Sequence, residues 1–320
     1  MPRKVLLILL MTAFAVFNVA SGFANSYGWL MLARFLSGLP HGAYFGVGAV
    51  VAASLVTVDR RTWAVSIMLI GLSVANVVGV PVTTVLGQQL GWPVPYWVVG
   101  LIGAVTVLAV WRWVPFQQTK RGASMLSELS ALKRLQVWFA LLIGVVGFGG
   151  MFATYSYITP TMTELAGFRE SFVPVLLGIY GLGMVAGVLL SGRIARIGVM
   201  RGIILGMAAI ALMLAVFGPA VNVQWLAVPM VFVLGLLPSV LVPLLQTRLM
   251  DVARDGQSLA AALNHSTLNL ANALGAWLGS LVLAAGWGYE WPSRVGAILA
   301  VLGVGIALLS VAVERRHPIR

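Results

Sequence analysis

The stretch RFLSGLPHGAYFGVGA, Arg34–Ala49, decides how this chain is read. A guanidinium opens it inside an otherwise apolar run, and glycine returns at every fourth position, Gly38, Gly42 and Gly46. At 3.6 residues per turn this spacing lays the three glycines along one line of a helix, a small-residue stripe that lets another backbone approach closely. Arg34 heads the same line. Its charge in hydrocarbon costs at least about 2.5 kcal/mol on insertion scales, so something in the fold must offset it.

Working outward, the chain has 320 residues, 60% hydrophobic and 9% charged, with a mean hydropathy of +1.00. Soluble domains carry about 25% charged residues, so lipid is the solvent to reason with. Apolar runs near the ~20 residues that cross a hydrocarbon core recur along the whole length. They fall at about 4–24, 29–56, 63–86, 94–114, 136–160, 171–192, 201–220, 225–249, 258–286 and 293–313, separated by turn or charge signals such as Asn25-Ser26, Asp59-Arg60-Arg61, Gly91-Trp92-Pro93, Val221-Asn222 and Trp291-Pro292. The basic start and apolar centre of MPRKVLLILLMTAFAVF resemble a leader, but the run reaches Ala24 without a small-residue cleavage site and reads as a retained span.

The formal charge of +12 is a matter of topology and calls for no nucleic-acid partner. Alternate loops assigned to opposite sides leave Arg169 and Arg294 on one face and Arg34 within a span; the rest of the 20 Lys and Arg share the other face, which is therefore cytoplasmic. Both termini are expected on that side. Cysteine is absent, which excludes disulfides and thiolate chemistry, and three scattered histidines make no metal motif. No P-loop and no pair of membrane carboxylates is present; Asp59, Glu128, Asp251, Asp255 and Glu314 are all expected in cytoplasmic loops. The chain is read as no enzyme, without metal or cofactor.

An internal repeat organises the rest. VANVVG at Val74–Gly79 returns as LANALG at Leu270–Gly275, a displacement of 196 residues, and Gly38 and Arg3 have counterparts in Gly235 and Arg201 at about the same displacement. The copies share an orientation, as parallel six-helix halves do. Three segments follow: a bundle over 1–115, a linker over 116–135 with Lys120, Arg121, Lys133 and Arg134 around Met125, Leu126, Leu129 and Leu132, and a six-helix bundle over 136–320. Six spans follow the linker and four precede it, so a helical hairpin is expected upstream of Met1.

Candidate site residues are the polar groups inside spans. Arg34, with His41 one residue from the glycine line, reads as a proton or substrate relay or as a structural charge on a packing seam. Asn76 lies among Gly71, Gly79 and Pro81, where the helix can bend and free carbonyls need partners. His265, Asn269 and Asn272 follow i, i+4, i+7 spacing with Asn264 beside them, and either line a polar cavity or bond helix to helix. Tyr155 and Tyr157 offer ligand contacts or interface anchors, and Trp92, Trp97, Trp287 and Trp291 are belt residues at the outer edge.

The Arg34–Ala49 stretch resembles the fourth-helix motif of the drug:proton antiporter branch of the major facilitator superfamily, in particular the arabinose-efflux-like permeases. VANVVGVP, Val74–Pro81, resembles the fifth-helix antiporter motif, with Val80-Pro81 where Gly-Pro is usual. ALNHSTLNLANALGAWLGS, Ala262–Ser280, is similar to the eleventh helix. PRK at Pro2–Lys4 and GRIARIGVMR at Gly192–Arg201 resemble the cytoplasmic loop motifs of the two halves. The resemblance implies an all-α membrane protein with the major facilitator fold of two parallel-repeat helical bundles, about ten transmembrane helices being present of an expected twelve. It further implies proton-coupled efflux of small solutes, sugars or drugs, by alternating access, with the proton gradient as energy source. Within it Arg34 takes part in proton coupling, Gly71, Gly79 and Pro81 shape the antiporter helix, and Arg193 and Arg196 join the cytoplasmic gate. The expected surroundings are a bacterial-type inner membrane, a small-molecule substrate and a monomeric state. The competing reading is a non-transporting truncated protein or scaffold that kept the helices and lost coupling.

Overall fold

The computed structural model describes residues 2–57, 64, 68, 71–72, 74–116, 130–253 and 257–316. Of the residues singled out above, Asp59, Arg60, Arg61, Lys120, Arg121, Met125, Leu126, Glu128, Leu129 and Asp255 lie outside these. The chain divides into two compact units, Met1–Ser124 and Met125–Arg320.

In the first unit α1 runs over Arg3–Gly22 and α2 over Tyr27–Ser54. The turn between them ends on Ser26, whose hydroxyl accepts the Trp29 backbone N–H at 3.3 Å and satisfies one orphan donor of the α2 N-terminus. A π turn at Ala75–Gly79 leads into α3, Val80–Leu90; Gly91, at φ 97°, then stops the helix and α4 follows over Pro93–Trp113. Proline at the start of α4 has no N–H to leave unsatisfied there. Helices α1 and α4 pack where Gly100 and Gly103 admit Val19 and Ala15, and α1 also packs on α2.

The second unit opens on a short 3-10 turn, Ser130–Lys133, followed by α5 over Leu135–Tyr155, with a π turn at Ile143–Gly147 inside it. Helices α6 (Val173–Ala195), α7 (Val199–Val221), α8 (Gln224–Ala253), α9 (Gln257–Ala284) and α10 (Trp291–Arg316) complete it. Lipid tails are as apolar as leucine, so helices there associate through dispersion and close backbone approach rather than through water exclusion. Glycine supplies that approach: a methyl on Gly183 or Gly187 of α6 would overlap the Phe232 or Leu236 carbonyl of α8, and one on Gly235 the Tyr180 carbonyl. Gly150 of α5 and Gly296 of α10 stand in the same relation to each other. Larger side chains fill the space between these seams, including Ile203, Met207, Ile210, Leu214 and Phe217 of α7, all fully buried.

Among the described residues eight helical stretches are long and apolar enough to cross a bilayer. Helix α2 is 28 residues long and carries glycine, serine, proline, histidine and Arg34 among its apolar residues. Two expectations are corrected here: Asp251 and Glu314, read as loop residues, lie in the last turns of α8 and α10. Helices continue past the end of an apolar run when their charges find partners, as Glu314 does.

Candidate functional site

Arg34 sits two turns into α2 and reaches across to α1. Its Nη1 donates to the Asn18 side-chain oxygen at 2.8 Å, while Asn18, only 2% exposed, donates its own amide to the Phe14 carbonyl at 2.8 Å. The guanidinium carbon lies 5.2 Å from the centre of the Tyr96 ring on α4, a cation–π distance. Three helices thus fix one charge, and both of these partners are neutral. Two turns on, His41 stacks on Phe14 at 5.5 Å and meets Phe45 edge-on at 5.1 Å. Pro40 interrupts the backbone ladder beside it, since proline cannot bond the Leu36 carbonyl.

The glycine line of α2 meets no backbone among the described residues. A methyl on Gly38, Gly42 or Gly46 would meet no described atom within 4 Å, whereas the glycines between α6 and α8 are in hard contact. Arg34, Gly38, His41 and Gly42 are all exposed. The stripe is therefore an open strip carrying a charge and an imidazole, and seats no backbone among the described residues.

Asn76 lies in the π turn before α3 and donates to the Leu72 carbonyl at 2.8 Å, one turn back on its own helix. Gly79 closes that turn and Pro81 follows it; the missing N–H of Pro81 leaves the Val77 carbonyl without its α-helical donor, the condition under which helices adopt π geometry. Gly71 is exposed.

In the second unit Tyr155 stacks on Tyr180 of α6, ring centres 4.5 Å apart, and Tyr180 hydroxyl faces the Met151 sulfur. Tyr157 donates its hydroxyl to the Ala276 carbonyl of α9 at 2.8 Å, its ring against Gly279, so it is a helix-to-helix tie. On α9 Asn264 is 3% exposed, His265 is half-buried, and Asn269 and Asn272 are exposed. His265, Asn269 and Asn272 thus lie toward the more open side of α9, and Asn264 is buried beside them. Arg193 and Arg196 are both exposed at the end of α6, beside the turn into α7.

Sequence reading missed Asn18 and Tyr96. A signal for Asn18 was present: it and Arg34 each stand eight residues from Ser26, so folding α1 against α2 about that turn brings them level. Also missed was a buried network in the second unit. Arg248 of α8, 9% exposed, donates to both Glu314 oxygens of α10 at 3.3 and 2.7 Å and to the Gln136 oxygen of α5 at 3.2 Å. Ser310 donates to that same Gln136 oxygen at 2.6 Å, and Gln136 returns a bond to the Ser310 carbonyl at 3.1 Å.

Residues 1–258 match the model of the Major Facilitator Superfamily. The chain belongs to that superfamily. This transporter is 38% identical over 317 residues to an Escherichia coli (strain K12) protein called "Inner membrane transport protein YdhP", with 98% of the chain and 80% of the relative covered. It is 26% identical to a Helicobacter pylori (strain P12) protein called "Probable sugar efflux transporter", over 94% of the chain and 77% of the relative. A solved bacterial homologue of the human lysosomal transporter Spinster, inward-facing and unoccupied, shares its fold with a TM-score of 0.70 at 14% identity, over 97% of the chain and 83% of that structure. The protein is thus a multi-pass inner-membrane transporter and not an enzyme.

Proposed function

We propose that the protein is a proton-coupled efflux permease for small solutes that works by alternating access, with both termini in the cytoplasm. The observation that carries this reading is the Arg34 charge held by Asn18 and Tyr96 beside an open glycine strip. A permanent charge in a membrane helix is costly and marks a transport path more often than a packing site. Each unit also offers polar groups for a solute: Asn76 in the first, and Tyr155, Asn264, His265, Asn269 and Asn272 in the second. His41, near Arg34 on the same helix, can titrate near neutral pH and is the proposed proton carrier, and Arg34 sets the potential it feels. Gly71, Gly79 and Pro81 let the helix before α3 flex, and Arg193 and Arg196 gate the cytoplasmic side. No cofactor is assigned; the proton gradient drives the cycle, and the protein works as a monomer.

The test uses inverted membrane vesicles energised to hold an acid interior, with a pH-sensitive dye and a panel of sugars, drugs and small acids. A transported solute should dissipate the gradient, and Arg34→Gln should abolish that response at an unchanged amount of membrane protein. A panel without any response, or a response untouched by the substitution, would count against coupled export.

A further inference from the structure

We infer that the second unit holds a movable joint of its own. Helices α6 and α8 form one rigid pair, α5, α9 and α10 form one rigid trio, and α7 lies between them as an axle. Arg248 is the catch that holds the joint shut at one end. The inference adds an internal movement to the transport reading above and stands on different residues.

The pair and the trio are each closed by backbone. In the pair, Gly183 and Gly187 of α6 lie against the Phe232 and Leu236 carbonyls of α8, and Gly235 of α8 lies against the Tyr180 carbonyl. In the trio, Gly150 of α5 and Gly296 of α10 meet backbone to backbone, and Gly275 of α9 meets the Gly149 carbonyl of α5 in the same way. Backbone packed on backbone has no rotamer to change, so such a seam cannot slide without losing its contacts.

The described contacts between the pair and the trio are of another kind. Tyr155 stacks on Tyr180 at 4.5 Å, the Met151 sulfur faces the Tyr180 hydroxyl at 3.9 Å, and the Leu245 side chain lies against Gly144. Helix α7 serves both sides through side chains: Leu241 of α8 lies against its Gly206, while its Met207 lies against Gly147 of α5 and Gly303 of α10. Methionine has three rotatable bonds and adapts to a displaced neighbour, and packed helices of this kind shift by about 1–2 Å.

A polar tie crosses the joint. Arg248 reaches out of the pair to both Glu314 oxygens and to the Gln136 oxygen of the trio. At the far end of α7, Asn222 donates to the Glu290 carboxylate at 3.0 Å and fixes the axle to the start of α10. With the catch made, the last turns of α8 are bound to α5 and α10. With it broken, the pair tips about α7 and that end of the unit opens from within.

The chain has no cysteine, so introduced cysteines place spin labels at chosen positions. Double electron–electron resonance on the full chain in lipid nanodiscs then reads three distances between exposed positions: Leu189 to Thr247 within the pair, Leu135 to Leu309 within the trio, and Thr247 to Leu309 across the joint. Glu314→Gln should lengthen the third by about 2 Å and leave the first two unchanged. Arg248→Lys, which keeps the charge and loses the fork, should shift it the same way and serves where Glu314→Gln does not fold. A Thr247–Leu309 distance that neither substitution lengthens overturns the inference, and so does an equal shift in the other two distances. The distances are read without solute or gradient, so the joint can fail while coupled export stands, and coupled export can fail while the joint stands.

Discussion

The Arg248 guanidinium meets the Glu314 carboxylate at 2.7 Å, with side chains 11% and 31% exposed. The two ends of this pair are unequal. Without Glu314, a nearly buried cation keeps only Gln136 for company; without Arg248, the carboxylate stands at the end of α10 and can turn to water. Losing one partner of a buried pair costs about 3 kcal/mol or more. Glu314→Ala is therefore expected to lower the thermal midpoint of the protein in detergent further than Arg248→Ala. The reverse order would show that the network does not bear on α8.

The two kinds of glycine should answer substitution differently. Gly150→Ala puts a methyl into the Gly296 carbonyl, and overpacking of this sort costs about 1–3 kcal/mol. Gly38→Ala meets open space and should leave stability within about 0.5 kcal/mol of the parent. Thermal unfolding of both variants decides this, and equal losses would mean that the α2 strip is packed after all.

Asn18 is expected to matter through Arg34. Asn18→Ala removes the acceptor at 2.8 Å, and a hydrogen bond to a charged group contributes about 1.5–3 kcal/mol. The variant should be made and inserted normally but export poorly, and Asn18→Asp should not restore it, because a carboxylate there would occupy the charge. Export measured against the amount of membrane protein is the readout, and activity in Asn18→Asp equal to the parent would refute the neutral-partner argument.

Tyr157 is assigned a structural part. Tyr157→Phe deletes only the hydroxyl bonded to the Ala276 carbonyl and should cost about 1 kcal/mol of stability with transport intact. A selective loss of transport would move Tyr157 into the solute path.

Much of the helical layout was legible because hydropathy and turn signals are strong in a chain that lives in lipid. Ser26 and Gly91 both mark helix boundaries that composition announces. The partner of Arg34 was less legible, since nothing in a lone asparagine says which neighbouring helix it faces; only the equal distance from Ser26 hints at it. The Arg248 network was hidden for another reason: Gln136, Arg248 and Glu314 each look like the polar fringe at the end of an apolar run, and only packing shows that the three fringes converge. The glycine stripe of α2 is ambiguous by nature, because small residues at four-residue spacing serve open strips and tight seams alike.

The π turn at Ala75–Gly79 carries a consequence for the repeated segments. VANVVG bends into that turn, while LANALG at Leu270–Gly275 runs as unbroken α-helix. A π turn holds one residue beyond the α-helical count, so tightening it would spin the rest of the helix by about 100° and lengthen its path by about 1.5 Å. Of these two similar stretches, only Val74–Gly79 holds the extra residue that such a rotation requires.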